Sequence, residues 1–150
     1  MDNILKSIED EGIEIIEMEF NGVRKGLYGD NTIAIDRRIK DIRYKRCVLA
    51  EELGHHYTSY GNIINYGKLI NKKQEKRARN WAYEKLIGIV GLINAYNSGV
   101  RNRYELAEYF DVTEEFLEDA LTHYKEKYGL YLEIDNYLVY FEPLTIVKMI

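Results

Sequence analysis

The stretch Val48-Leu49-Ala50-Glu51-Glu52-Leu53-Gly54-His55-His56 decides how this chain is read. It lies in a run from about Asp41 to Ser59 whose apolar positions recur at helical spacing, so the run is read as one helix. Tyr44, Val48, Glu51 and His55 share one face of that helix, and Leu49, Leu53, His56 and Tyr60 share the next. Two glutamates and two histidines would suit a solvated face, but Ala50, Leu53 and Gly54 surround them and leave little of one. Burying Glu51 and His55 beside Val48 is costly unless the two are paired or ligated. That cost separates this helix from an ordinary amphipathic one and predicts a site on it.

The spacing is one residue away from the H-E-x-x-H signature. In that signature two histidines four apart on one helical face bind zinc, and the glutamate after the first takes a proton from metal-bound water. Here Glu52 keeps the place of the base and His55 that of the second histidine, while Glu51 stands where the first histidine belongs. Zinc accepts a carboxylate oxygen at roughly 2.0–2.2 Å, which leaves Glu51 a candidate ligand. His56 points about 100° away from His55 around the helix, so it is read as a supporting or packing residue.

Outward from this helix the elements are short. Residues 1–10 read as an amphipathic helix with Ile4, Leu5 and Ile8 on one side, and Ile13 to Phe20 alternates as a strand does. Gly26 to Ile35 reads as a hairpin turning at Gly29-Asp30-Asn31. A second long helix is expected from about Lys72 to Tyr96, charged at its start, apolar after Ala78 and ended by Asn97-Ser98-Gly99. Helices over Arg103–Phe110 and Thr113–Tyr128 flank a short turn at Asp111-Val112, with Thr113 as N-cap. Leu130 to Phe141 reads as a hairpin turning at Asp135-Asn136. The fold class is therefore α+β. A small antiparallel N-terminal sheet packs on a zincin-like motif helix and its partner helix, and a helix-turn-helix-like lobe with a terminal hairpin follows. The expected division is a core over residues 1–98 and a lobe over 99–150, packed as one compact unit.

Composition bounds the function classes. The chain has 150 residues, 46% of them hydrophobic, enough for one domain or two small lobes. A net charge of −4 gives no global basic field for nonspecific nucleic-acid binding. The lone cysteine, Cys47, excludes an internal disulfide, fits a reducing cytoplasm and is read as a small packed hydrophobe. The N-terminus carries Asp2, Glu9 and Glu11 with no apolar run behind them, so no signal peptide is expected. Leu86 to Tyr96 is too short to span a bilayer. A cytoplasmic protein without membrane partners is the expectation.

The motif segment Val48–His56 resembles the ImmA/IrrE family of metallopeptidase-like proteins. The element order agrees, and Arg77-Ala78-Arg79-Asn80-Trp81-Ala82 resembles the family's E-A-x-x-F-A stretch on the second helix. The resemblance covers roughly residues 25–95, and the motif helix is its specific part. It implies a cytoplasmic protein, often carried by phages and mobile elements, that inactivates a cognate repressor by proteolysis. Carried over by residue, Glu52 would be the general base and His55 a ligand of zinc, the implied cofactor. Two positions depart from the pattern. Glu51 replaces the first histidine, and Arg77 stands where the third ligand, a glutamate, is expected; a guanidinium cannot ligate a metal. One expectation is an Arg77–Glu51 ion pair that replaces zinc as the tie between the helices, leaving the protein without a cofactor. The other is a third ligand elsewhere: Glu84, two turns beyond Arg77 on a similar face, whereas Glu75 points elsewhere by helical phase.

The functional expectation is a phage or mobile-element protein acting on a repressor-type partner. It is a metallo-endopeptidase by resemblance, and the two altered ligand positions leave room for a binder that does not cut. The alternative is a DNA-binding transcriptional regulator using the winged-helix-like C-terminal lobe. Its second helix begins Glu114-Glu115 and continues Glu118-Asp119, whereas phosphate contacts call for lysine or arginine. Direct nucleic-acid binding is therefore not favoured. Trp81 is read as a core anchor and His123 as a surface residue.

Overall fold

The computed structural model describes residues 2–59 and 72–150; Tyr60, assigned to the second stripe of the motif helix, lies outside the described residues. The fold is α+β, as the sequence predicts. Its contacts divide it into two compact units, one ending at Lys85 and the other spanning Leu86–Ile150.

The first unit opens with α1 (Asp2–Asp10), which buries Ile4 and Ile8, four apart on one face. A three-stranded sheet follows: β1 (Glu14–Met18), β2 (Gly26–Gly29) and β3 (Thr32–Asp36). β2 and β3 form the expected hairpin. Asp30 and Asn31 at its tip have φ of 48° and 54°, the left-handed pair that a two-residue turn requires. The strand order is β1-β3-β2, and β1 runs parallel to β3. The sheet is thus mixed, which corrects the expectation of a wholly antiparallel one. β3 carries the consecutive apolar residues Ile33, Ala34 and Ile35, all buried, and a strand covered on both sides belongs at the centre. The chain between β1 and β2 must then cross, which brings the return strand beside β1.

The motif helix, α2 (Ile42–Thr58), begins where expected. The Asp41 carboxylate accepts from the amides of Arg43 and Tyr44, satisfying two of the unpaired donors at the helix start. β2 and β3 pack on α2, and its buried residues run from Arg46 to Ala50 and again from Glu52 to His55. Cys47 is buried, as expected of a small packed hydrophobe.

The second long helix is corrected. It is two helices, α3 (Lys72–Leu86) and α4 (Ile89–Asn97), separated at Ile87-Gly88. Gly88 is extended, with φ −76° and ψ 158°, and a glycine costs about 1 kcal/mol inside a helix. The break frees the Ile87 carbonyl, which accepts a 2.7 Å hydrogen bond from the Tyr124 hydroxyl.

The second unit continues with α5 (Arg103–Phe110) and α6 (Glu114–Tyr128), capped by the side chains of Asn102 and Thr113. A meander of β4 (Tyr131–Ile134), β5 (Tyr137–Phe141) and β6 (Leu144–Lys148) closes it. β6 extends the predicted hairpin by a strand. Only Ile146 of its residues is buried, so its run carries little periodic signal. The core of this unit holds Leu92, Leu117, Val139 and the stacked rings of Tyr124 and Phe141, 5.6 Å apart. His123 is buried against Tyr124 rather than on the surface, because it follows Ala120 by three on the inner face of α6. No helix of the described residues is long and apolar enough to cross a membrane.

Candidate functional site

Two glycines build the site. A Cβ on Gly54 would stand 2.3 Å from the carbonyl oxygen of Ala78, so glycine there is what lets α2 and α3 approach this closely. Ala78 and Ala82 are fully buried at that seam. A Cβ on Gly26 would stand 2.7 Å from Val48 Cγ1 and 2.9 Å from Glu52 Oε2, so β2 closes directly onto the motif helix.

At the α2–α3 seam, His55 and Glu75 meet. His55 is 2% exposed, and its Nε2 lies 3.4 Å from Glu75 Oε1. The same carboxylate oxygen lies 3.5 Å from Arg24 Nη2, while Glu75 Oε2 is 3.8 Å from Arg79 Nη2. The His55 hydrogen bond holds the Glu75 carboxyl below its ordinary range; burial opposes this, and the charges of His55, Arg24 and Arg79 reinforce it. Glu52 is buried beside them. Burial pushes its carboxyl up to about 7; His55 and Arg24 oppose the rise, and Glu51 and Glu75 add to it. A carboxyl near neutrality is one that can take up a proton at working pH, the chemistry general-base work requires. Glu52 Oε1 and His55 Nδ1 are buried without a hydrogen-bond partner among the described residues.

Glu51 is half-buried on α2. Arg77 is exposed, and its Nε donates to the Lys73 carbonyl at 3.4 Å. It lies about 200° around α3 from Glu75, and Glu84, also exposed, lies about 180° from Glu75. The expectation that Glu75 points elsewhere is thereby corrected: it rests on phasing the helix from Arg77. Phased from Ala78, the residue packed on Gly54, Glu75 stands one turn back on the same face and beside His55. Arg24 has no comparable sequence signal.

A second network flanks the first. The Tyr28 hydroxyl is 2.6 Å from His56 Nδ1, and His56 Nε2 is 3.4 Å from Glu11 Oε2. Tyr57 donates its hydroxyl to Glu11 and stacks on Trp81 at 4.9 Å. That bond pushes the Tyr57 hydroxyl up to about 12 and lowers the Glu11 carboxyl.

A catalytic zinc takes three protein ligands and keeps one position open. The 3.4 Å between His55 Nε2 and Glu75 Oε1 is close to the separation of two ligands on one tetrahedral ion with bonds of about 2.0–2.2 Å. Yet no three His, Cys, Asp or Glu side chains converge to hold a metal among the described residues. The Glu75 oxygen also faces a guanidinium, and among the described residues His55 Nδ1 lacks the acceptor that orients a zinc-bound histidine. Among the described residues the donors supply two corners of a zinc site and do not complete it.

In the second unit, α6 exposes Glu114, Glu115, Glu118 and Asp119. The family model described as the IrrE N-terminal-like domain, a peptidase family, matches residues 8–122. Comparison with curated proteins and with solved structures returned no match.

Proposed function

Because the chain belongs to the IrrE N-terminal-like domain family, we propose that it acts on a cognate repressor-type protein in a phage or mobile element, and holds that partner without cutting it. The observation that carries this reading is the state of Glu75: the carboxylate facing His55 is also paired with Arg24, and the first histidine position holds Glu51. Glu52 keeps the place and the near-neutral carboxyl of the general base. Around it the donors among the described residues fall short of a catalytic metal site, and this supports a partner that is held without a metal-bound nucleophile. The acidic outer face of α6 favours contact with a protein over contact with DNA phosphates.

The test is co-expression with a helix-turn-helix repressor encoded beside this gene, in medium supplied with zinc. The expected result is a co-purifying pair in which the repressor keeps its intact mass. Repressor fragments that disappear when Glu52 is changed to Gln would overturn the reading, as would the absence of any complex.

A further inference from the structure

We propose that the Arg24 guanidinium is the resident cation of the Glu52–His55–Glu75 site and competes with a divalent metal for Glu75. The proposal rests on the donor set behind the non-cleaving reading, and extends it by naming the residue that holds the metal's electrostatic place. Three observations carry it. Arg24 is anchored at the entry to β2, where its Nη1 donates to the Gly26 carbonyl at 3.3 Å. From that anchor its Nη2 reaches Glu75 Oε1 at 3.5 Å, the oxygen that also faces His55 Nε2 at 3.4 Å. The same strand is pressed on the third member of the site, since a Cβ on Gly26 would lie 2.9 Å from Glu52 Oε2. One guanidinium therefore stands against the site from the β2 side.

The chemistry explains why such a cation is needed. Buried or half-buried carboxylates require a counter-charge. In a zinc peptidase the metal supplies it. Here the charges of Glu51 and Glu75 both bear on buried Glu52, and with Glu51 in place of a neutral histidine the demand for positive charge is greater. Arg79 also approaches Glu75, but at 3.8 Å and with a side chain 54% exposed. A guanidinium stays protonated at every working pH, so a metal entering this site must displace it rather than deprotonate it.

The experiment measures zinc affinity of the full chain by competition with a colorimetric chelator. It uses wild type, Arg24→Gln, Glu51→His, and Glu51→His combined with Arg24→Gln or Arg24→Lys. The expected result is no stoichiometric zinc in wild type, and zinc binding about tenfold tighter in Glu51→His/Arg24→Gln than in Glu51→His alone. The lysine variant should stay near Glu51→His, because it keeps the charge. Equal affinities with arginine and glutamine at position 24 would overturn the proposal, as would wild-type zinc binding that Arg24→Gln leaves unchanged. A readout independent of metal and of position 51 is the double-mutant cycle of Arg24→Gln and Glu75→Gln in urea unfolding. Coupling supports the pairing, and additivity overturns it. Cleavage of a repressor by the wild-type chain would defeat the non-cleaving reading while leaving the effect of position 24 on zinc affinity to stand or fall by itself.

Discussion

Glu75 and Arg77 stand two positions apart on α3 and face nearly opposite ways, and that difference sets what each contributes. Arg77→Ala removes an exposed side chain whose described bond is to its own helix, so it should change stability by less than about 0.5 kcal/mol. Glu75→Ala removes the acceptor shared by His55 and Arg24 and should cost about 1–2 kcal/mol. Urea unfolding of the two variants checks the ranking, and the reverse order would return Arg77 to the site. Asp36 gives a pH prediction away from the site. Its buried carboxylate is bonded by Arg38 and by the amides of Phe20 and Arg38, which hold it well below the usual carboxylate range. With a lowered folded value, the unfolded chain binds the proton more readily. The contribution is therefore complete above the unfolded value of about 3.9 and is lost as pH falls through the folded one. Asp36→Asn should lower the thermal midpoint at about pH 7 and do so progressively less toward about pH 2. An equal loss at both ends would mean that the charge is not what matters. Glu52 and His55 were legible from motif spacing, because residues three or four apart along a helix are neighbours on its surface. Glu75 was legible only with the phase taken from Ala78, and Arg24 not at all, since it reaches Glu75 across 51 positions from a segment without periodicity.

At the scale of elements, the seam between α2 and α3 is where local preference and packing conflict. Alanine is the better helix former by about 1 kcal/mol, so Gly54→Ala should help an isolated α2. In the folded chain the new Cβ would meet the Ala78 carbonyl at 2.3 Å, a backbone atom that cannot rotate away. The packing term should win, with a net destabilisation of about 1–3 kcal/mol that thermal or urea unfolding can measure. A stabilised Gly54→Ala variant would mean that the two helices part freely. Elements with both a period and a cap were readable in advance. α2 has Asp41 and α6 has Thr113, and the β2–β3 hairpin has its Asp30-Asn31 turn. The features that escaped are set by tertiary structure. The parallel β1–β3 pairing depends on which strand is covered on both faces, and the break at Ile87-Gly88 depends on a hydroxyl from α6 donating to the freed carbonyl.

For the whole molecule, the division after Lys85 makes a prediction that the sequence boundary at 98/99 does not. α4 belongs by its packing to the second unit. It contributes Leu92, Ile93 and Ala95 as buried residues, and a Cβ on Gly91 would meet the Phe110 ring at 2.9 Å. Ile87, just ahead of α4, is tied to Tyr124 on α6. A fragment spanning Leu86–Ile150 therefore carries its own core and should melt cooperatively, with modest stability because small domains bury a low fraction of their surface. A fragment of residues 99–150 lacks the Ile87 carbonyl that accepts from Tyr124 and the Gly91 position packed on Phe110, so it should lack a cooperative transition and amide dispersion. Circular dichroism melts and proton–nitrogen correlation spectra of the two fragments decide between the boundaries. If residues 99–150 fold as well as Leu86–Ile150, α4 is dispensable to the lobe and belongs with the motif helices. If the longer fragment alone folds, the chain changes units one residue before α3 ends, and the site at His55, Glu75 and Arg24 is built wholly within the first unit.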